Sequence, residues 1–158
     1  MRSLRSVRSK FRRLVRLDGH SRALLLEAVL WLALARVAVR IVPFPQIARR
    51  LGAFTSPADG LPAGAPPNPL PAEALLAKEI GWAVTRAARH VPFKAVCLPQ
   101  ALAAKMMLRR RGIGGVLYFG IARDAAGSIE AHAWLLASGV EVTGYPVAND
   151  FIPIACFI

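Results

Sequence analysis

The chain has 158 residues, 55% of them hydrophobic, and 21 Lys and Arg against nine acids give a net charge of +12. That length suits one domain with an appended segment, and the apolar share exceeds what one core uses, which directs the surplus to a partner or a membrane surface. The chain lacks zinc-ligand spacing and basic residues interleaved with aromatics, so no nucleic acid is expected as a partner, and two cysteines exclude a disulfide framework.

Residues 1–22 hold eight of the Lys and Arg and a single acid, Asp18. Leu4, Val7, Phe11, Leu14 and Leu17 recur at helical intervals, so this basic arm reads as a short amphipathic helix. No small-residue cleavage site follows it, which argues against a secretory signal and for a cytoplasmic location, with membrane association left open. Residues 23–42, ALLLEAVLWLALARVAVRIV, form a strong helix stopped by Pro43 and Pro45. Glu27, Arg36 and Arg40 interrupt it, and its apolar run falls short of the roughly 20 residues a bilayer span needs. A helix packed on the domain or on a partner is expected, with weak membrane-surface contact through residues 1–42 as a second use.

Six prolines between Pro57 and Pro71 mark residues 52–72 as a linker. The expected organisation is therefore an N-terminal arm and apolar helix over 1–51, the linker over 52–72, and a catalytic part over 73–158. Within the last, Leu75, Leu76, Ile80, Val84 and Ala87 give a helix from 73 to 89. Residues 97–112, CLPQALAAKMMLRRRG, give a second one, with Pro99 in the first turn, arginines at the carboxyl end and Gly112 as the stop. Residues 115–123, 129–137 and 140–145 alternate as three antiparallel strands. The expected fold is α+β, helices packed on an antiparallel sheet behind an N-terminal helical segment. Met106 and Met107 read as core filler, and Cys156, in the apolar tail FIPIACFI, as buried and inert.

Cys97 stands at the amino end of its helix, where unpaired amides and the helix dipole favour the thiolate. Of three histidines, His20 lies in the basic arm and His90 before a proline. Only His132 lies within a strand, sharing a face with Trp134, itself read as a core or cleft wall. A helix-borne cysteine followed by a strand-borne histidine is the constellation of cysteine hydrolases and transglutaminases: the base takes the thiol proton and the thiolate attacks a carbonyl. A buried thiol and a packed imidazole would look the same by spacing. The histidines are scattered and the cysteines far apart, so no metal or other cofactor is expected.

The segment CLPQALAAKMMLRRRGI followed by EAHAWLLASGVEV resembles the lasso-peptide biosynthesis B2 family, transglutaminase-like leader peptidases. The resemblance covers residues 73–158, and the preceding apolar helix and proline break are also similar. It implies a papain/transglutaminase-like fold and a cysteine peptidase, with Cys97 as nucleophile and His132 as base. Such an enzyme removes the leader from a ribosomally made precursor peptide before an ATP-dependent cyclase closes the macrolactam. It implies a separate leader-recognition protein as partner, because residues 1–50 read as helices without strands.

The chain departs from that pattern at the third triad position. A three-residue loop Ala137-Ser138-Gly139 would set residue 144 opposite His132, where the family commonly has an aspartate and this chain has Gly144. Asp150 is the first substitute, if residues 146–151 fold back beside His132, although a loop cap explains it as well. Glu130 shares the strand face of His132, and Glu141 faces away. An acyltransferase of the same fold and a non-catalytic peptide-binding module remain the alternative readings.

Overall fold

The computed structural model describes residues 18–56, 70–123, 127–147 and 151–158. Helix α1 (Gly19–Ile41) starts at Asp18, whose carboxylate accepts from the Ser21 amide at 3.0 Å. That cap satisfies one of the amides a helix start leaves unpaired. Leu24, Leu25, Ala28, Leu32 and Ala35, three to four residues apart, turn one face of α1 into the core. Pro43 ends α1, but Pro45 does not prevent a further short helix, α2 (Phe44–Leu51), because proline is compatible with a first helical turn.

Helices α3 (Pro71–Ala88) and α4 (Cys97–Arg109) follow, both within a few residues of the expected bounds. The sheet has strands β1 (Phe54–Thr55), β2 (Val116–Arg123), β3 (Ile129–Ala137), β4 (Val140–Thr143) and β5 (Ile152–Phe157). They are ordered β1-β5-β2-β3-β4, and every pairing is antiparallel. Two strands were not expected. β1 lies in the segment read as linker, and β5 is the apolar tail, which inserts beside β2. Pro153 of β5 faces Gly120 at an irregularity in the ladder, where a missing amide does least harm.

The two faces of the sheet differ. Leu117, Ala133, Leu135, Ala137 and Phe157 join the buried residues of α1, α3 and α4 in one core. On the other face Val116, Tyr118, Trp134 and Cys156 form a smaller cluster, covered by Leu136, Tyr145 and Val147. Cys156 is 0% exposed, as expected for the tail, and Met107 is fully buried.

The β3–β4 hairpin is tighter than the sequence suggested. Ala137 pairs with Val140 across a two-residue turn in which Ser138 (φ 47°) and Gly139 (φ 72°) are both left-handed. This is the turn whose twist matches paired strands. The register then shifts between Leu135 and Leu136, so Leu135 pairs with Thr143. Gly144 consequently lies against Ala133 and Trp134, not opposite His132.

Candidate active site

Cys97 is the first residue of α4 and is half-buried against the main core. Its helix has no side-chain cap: Val96 precedes it in extended conformation. The Gln100 amide closes the first turn on the Val96 carbonyl at 3.3 Å, and the Gln100 side chain braces the approach by donating to Ala95 O at 2.6 Å. The amides of Cys97 and Leu98 precede any intrahelical partner, and Pro99 contributes none. The thiol therefore stands beside amides that have no intrahelical partner, which could hold a developing oxyanion. No disulfide joins Cys97 to Cys156.

His132 lies in β3, half-buried, paired with Gly120 of β2. Its ring stacks on Trp134 at 6.0 Å between centroids, and Trp134 stacks on Tyr118 at 5.6 Å. Nε2 lies 2.6 Å from the Gly144 carbonyl oxygen. A carbonyl can only accept, so Nε2 carries the proton in this contact and Nδ1 keeps the lone pair when the ring is neutral. Phe151 closes the other side, 5.2 Å from the imidazole. The segment after β4 does return to His132 at that residue; Asp150 itself lies outside the described residues.

α4 packs across β3 and β4. Among the described residues, however, no hydrogen bond joins Cys97 to His132. The reason is the strand alternation: Ala133 and Leu135 face α4, whereas His132 shares the outer face with Trp134 and Tyr118. Ile129, Glu130 and Ala131, just before His132, are exposed. Of the other carboxylates weighed from sequence, Glu130 is exposed opposite Ala122. Glu141 pairs with Leu136, four residues or about 13 Å along the strand from His132.

Two features escaped the sequence reading. The first is the Gly144 carbonyl as partner of His132, which no residue type could have signalled. The second is Lys105, which is 6% exposed and donates to Gly115 O at 2.8 Å and Phe157 O at 3.0 Å. It ties α4 to the start of β2 and the end of β5, and burial, with Arg109 adding to it, pushes its ammonium down to about 8. Its signal was its place at helical spacing between Ala101 and Leu108. On the outer face, burial raises Tyr118, with the Cys156 thiol adding to it, and pushes Tyr145 up to about 12, with Glu141 and Tyr118 adding to it. No group of three or more metal-ligating side chains occurs among the described residues.

A cysteine leading a helix that packs on an antiparallel sheet, with a histidine on the second strand after it, defines the α+β class shared by cysteine peptidases and acyltransferases. The model of the transglutaminase-like superfamily matches residues 38–156, about three quarters of the chain, and the protein belongs to that superfamily. The match begins inside α1 and ends in β5. No curated protein and no solved structure shows significant similarity to the chain.

Proposed function

We propose that this protein is a cysteine peptidase that removes the leader from a ribosomally made lasso-peptide precursor before macrolactam closure. The observation that supports this most is the half-buried thiol of Cys97 at the amino end of α4. It belongs to the Cys-Leu-Pro motif, followed in order by Ala-His-Ala-Trp on a strand of the same superfamily fold. In the acylation step Nδ1 of His132 takes the thiol proton and Sγ bonds the carbonyl carbon at the end of the leader. The imidazolium then returns the proton to the departing amide nitrogen, and water hydrolyses the thioester. Asp150 remains the proposed orienting carboxylate, and in the working site it would take Nε2 in place of the Gly144 carbonyl that accepts from it in this structure. The working site needs imidazole and thiol within hydrogen-bond reach, so the cleavage-competent state has to turn His132 from the outer face of β3 towards the head of α4.

The leader is presented by a separate recognition protein, and the freed core passes to an ATP-dependent cyclase. A second reading, a non-catalytic peptide-binding module of this fold, draws support from the missing hydrogen bond between Cys97 and His132. Mass spectrometry of a cognate precursor decides between them. The peptidase reading expects Cys97→Ala to abolish cleavage and His132→Ala to come close, with each variant folded by circular dichroism. Asp150→Asn should lose on the order of 10²- to 10⁴-fold in turnover, and Glu130→Gln and Glu141→Gln should stay within roughly tenfold. Cleavage should be weak for the protein alone and rise strongly when the leader-binding protein is added. A parent that leaves the precursor intact with that partner present but still binds it would establish the binding module instead. An amine-linked product in place of hydrolysis would establish the acyltransferase.

A further inference from the structure

The inner face of α1 is buried in the core, and its outer face is apolar as well. Leu26 (68% exposed), Val29, Leu30 (54%), Leu34, Val37 (54%) and Ile41 (71%) all lie open to solvent. At 100° per residue these six fall within one arc of about 140°, and the stripe runs for about 22 Å along the helix. A stripe of this size is larger than scattered surface leucines would make. Arg22 and Arg40 stand at its two ends and Arg36 on one flank.

The charge around the stripe has one sign. Between residues 19 and 52 the only acid is Glu27, against Arg22, Arg36, Arg40, Arg49 and Arg50. Glu27 is already engaged, bound by Arg111 at 2.7 and 3.2 Å with Arg110 at 3.7 Å. Residues 1–17 hold seven further Lys and Arg and no acid. The basic arm therefore carries the same sign as the surface it would have to cover. A second copy fits no better: a two-fold antiparallel pairing centred on the stripe would set each Arg40 opposite the other copy's Glu27, a carboxylate that Arg111 already holds. An occupant must be apolar along its middle and anionic at its edges. The α1 helix, with arginines long enough to reach sideways from an immersed stripe, has the form of an interfacial helix. No helix among the described residues is long and apolar enough to cross a membrane, and the buried inner face of α1 keeps it on the domain.

We infer that the outer face of α1 docks the domain on an anionic lipid surface, Leu26 to Ile41 entering the headgroup boundary and Arg22, Arg36 and Arg40 engaging lipid phosphates. This does not depend on the peptidase reading, and its test uses no precursor. The full chain is co-sedimented with vesicles of phosphatidylcholine alone, or of equal parts phosphatidylcholine and phosphatidylglycerol. Binding should favour the anionic vesicles by about tenfold or more and weaken steeply with salt. The double variant Leu30→Gln/Val37→Gln, changed only at exposed positions, should bind at least about tenfold more weakly with an unchanged circular dichroism spectrum. Arg36→Gln/Arg40→Gln should lose about tenfold on anionic vesicles alone. Parent-like binding by Leu30→Gln/Val37→Gln would overturn the proposal, since the arm's charge would then account for any association. So would an absence of binding to either vesicle. A concentration-dependent dimer that Leu30→Gln/Val37→Gln dissolves would assign the stripe to a second copy instead.

Discussion

Cys97 and Cys156 differ first in access. Cys156 is sealed between β1 and β2 with its Sγ 3.0 Å from Thr55 O, whereas Cys97 is half-open at a helix start. Iodoacetamide near pH 6 should therefore label Cys97 well before Cys156, read by peptide mapping, and equal labelling would count heavily against Cys97 as nucleophile. Gly144 presents a different constraint. It sits at φ +84°, and a Cβ there would come 2.5 Å from Ala133 O and 2.8 Å from Trp134 Cα. Gly144→Asp should thus destabilise the fold by about 2 kcal/mol or more. Parent-like urea unfolding of that variant would mean the β3–β4 register differs from the one described. Lys105 adds a pH dependence. Its folded value is about 8 against an ordinary 10.5, so the unfolded chain holds that proton more tightly between those limits. Stability relative to Lys105→Met should accordingly rise from pH 8 towards 10, by at most about 1.4 kcal/mol per pH unit. A flat difference across that range would show that the ammonium is not desolvated.

Among the elements, α1 and the end of α4 are joined by the fork of Arg111 on Glu27. Arg111 holds that carboxyl below its ordinary value, by hydrogen bonding first and by charge second, with Arg110 adding to it. Bidentate, partly buried pairs of this kind couple more strongly than surface ion pairs. A double-mutant cycle of Glu27→Ala and Arg111→Ala in urea at pH 7 should give a coupling of about 1–2 kcal/mol. Because the folded pKa is depressed, the contribution is complete above the ordinary carboxylate value of 4.5 and is lost as the pH falls through the folded value. Coupling that survives undiminished well below that point would mean shape, not charge, holds the two helices together.

Over the whole molecule the face of α1 that carries Leu24, Ala28 and Leu32 shares one core with Ile80 and Val84 of α3 and with Ala104 and Leu108 of α4. Unfolding should therefore proceed in a single transition by fluorescence and circular dichroism, without a separate melt for the N-terminal helix. Non-coincident curves would show that the helical segment and the superfamily core are energetically distinct. The same packing leaves the outer face of α1 bare, so the core and the proposed lipid contact are the two sides of one helix.

How much was legible in the sequence follows the range of the physics involved. α3, α4 and the strands β2 to β4 were read nearly to the residue because local terms set them: apolar spacing, a proline in a first turn, alternation and turn residues. The positions of Cys97 at a helix head and His132 in a strand come from the same local signals. The tail was read only as apolar, because whether such a segment becomes a strand depends on the free edge of β2, which is distant in sequence. The hairpin register was misread because turn length and a bulge both shift pairing by single residues, and a shift of one residue changes which side chains share a face. Lys105 as a buried clamp, Gly144 O as the imidazole's partner and the outward face of His132 all depend on where chain segments meet. Only the tertiary structure decides such contacts, because each is made between groups whose approach no local preference specifies.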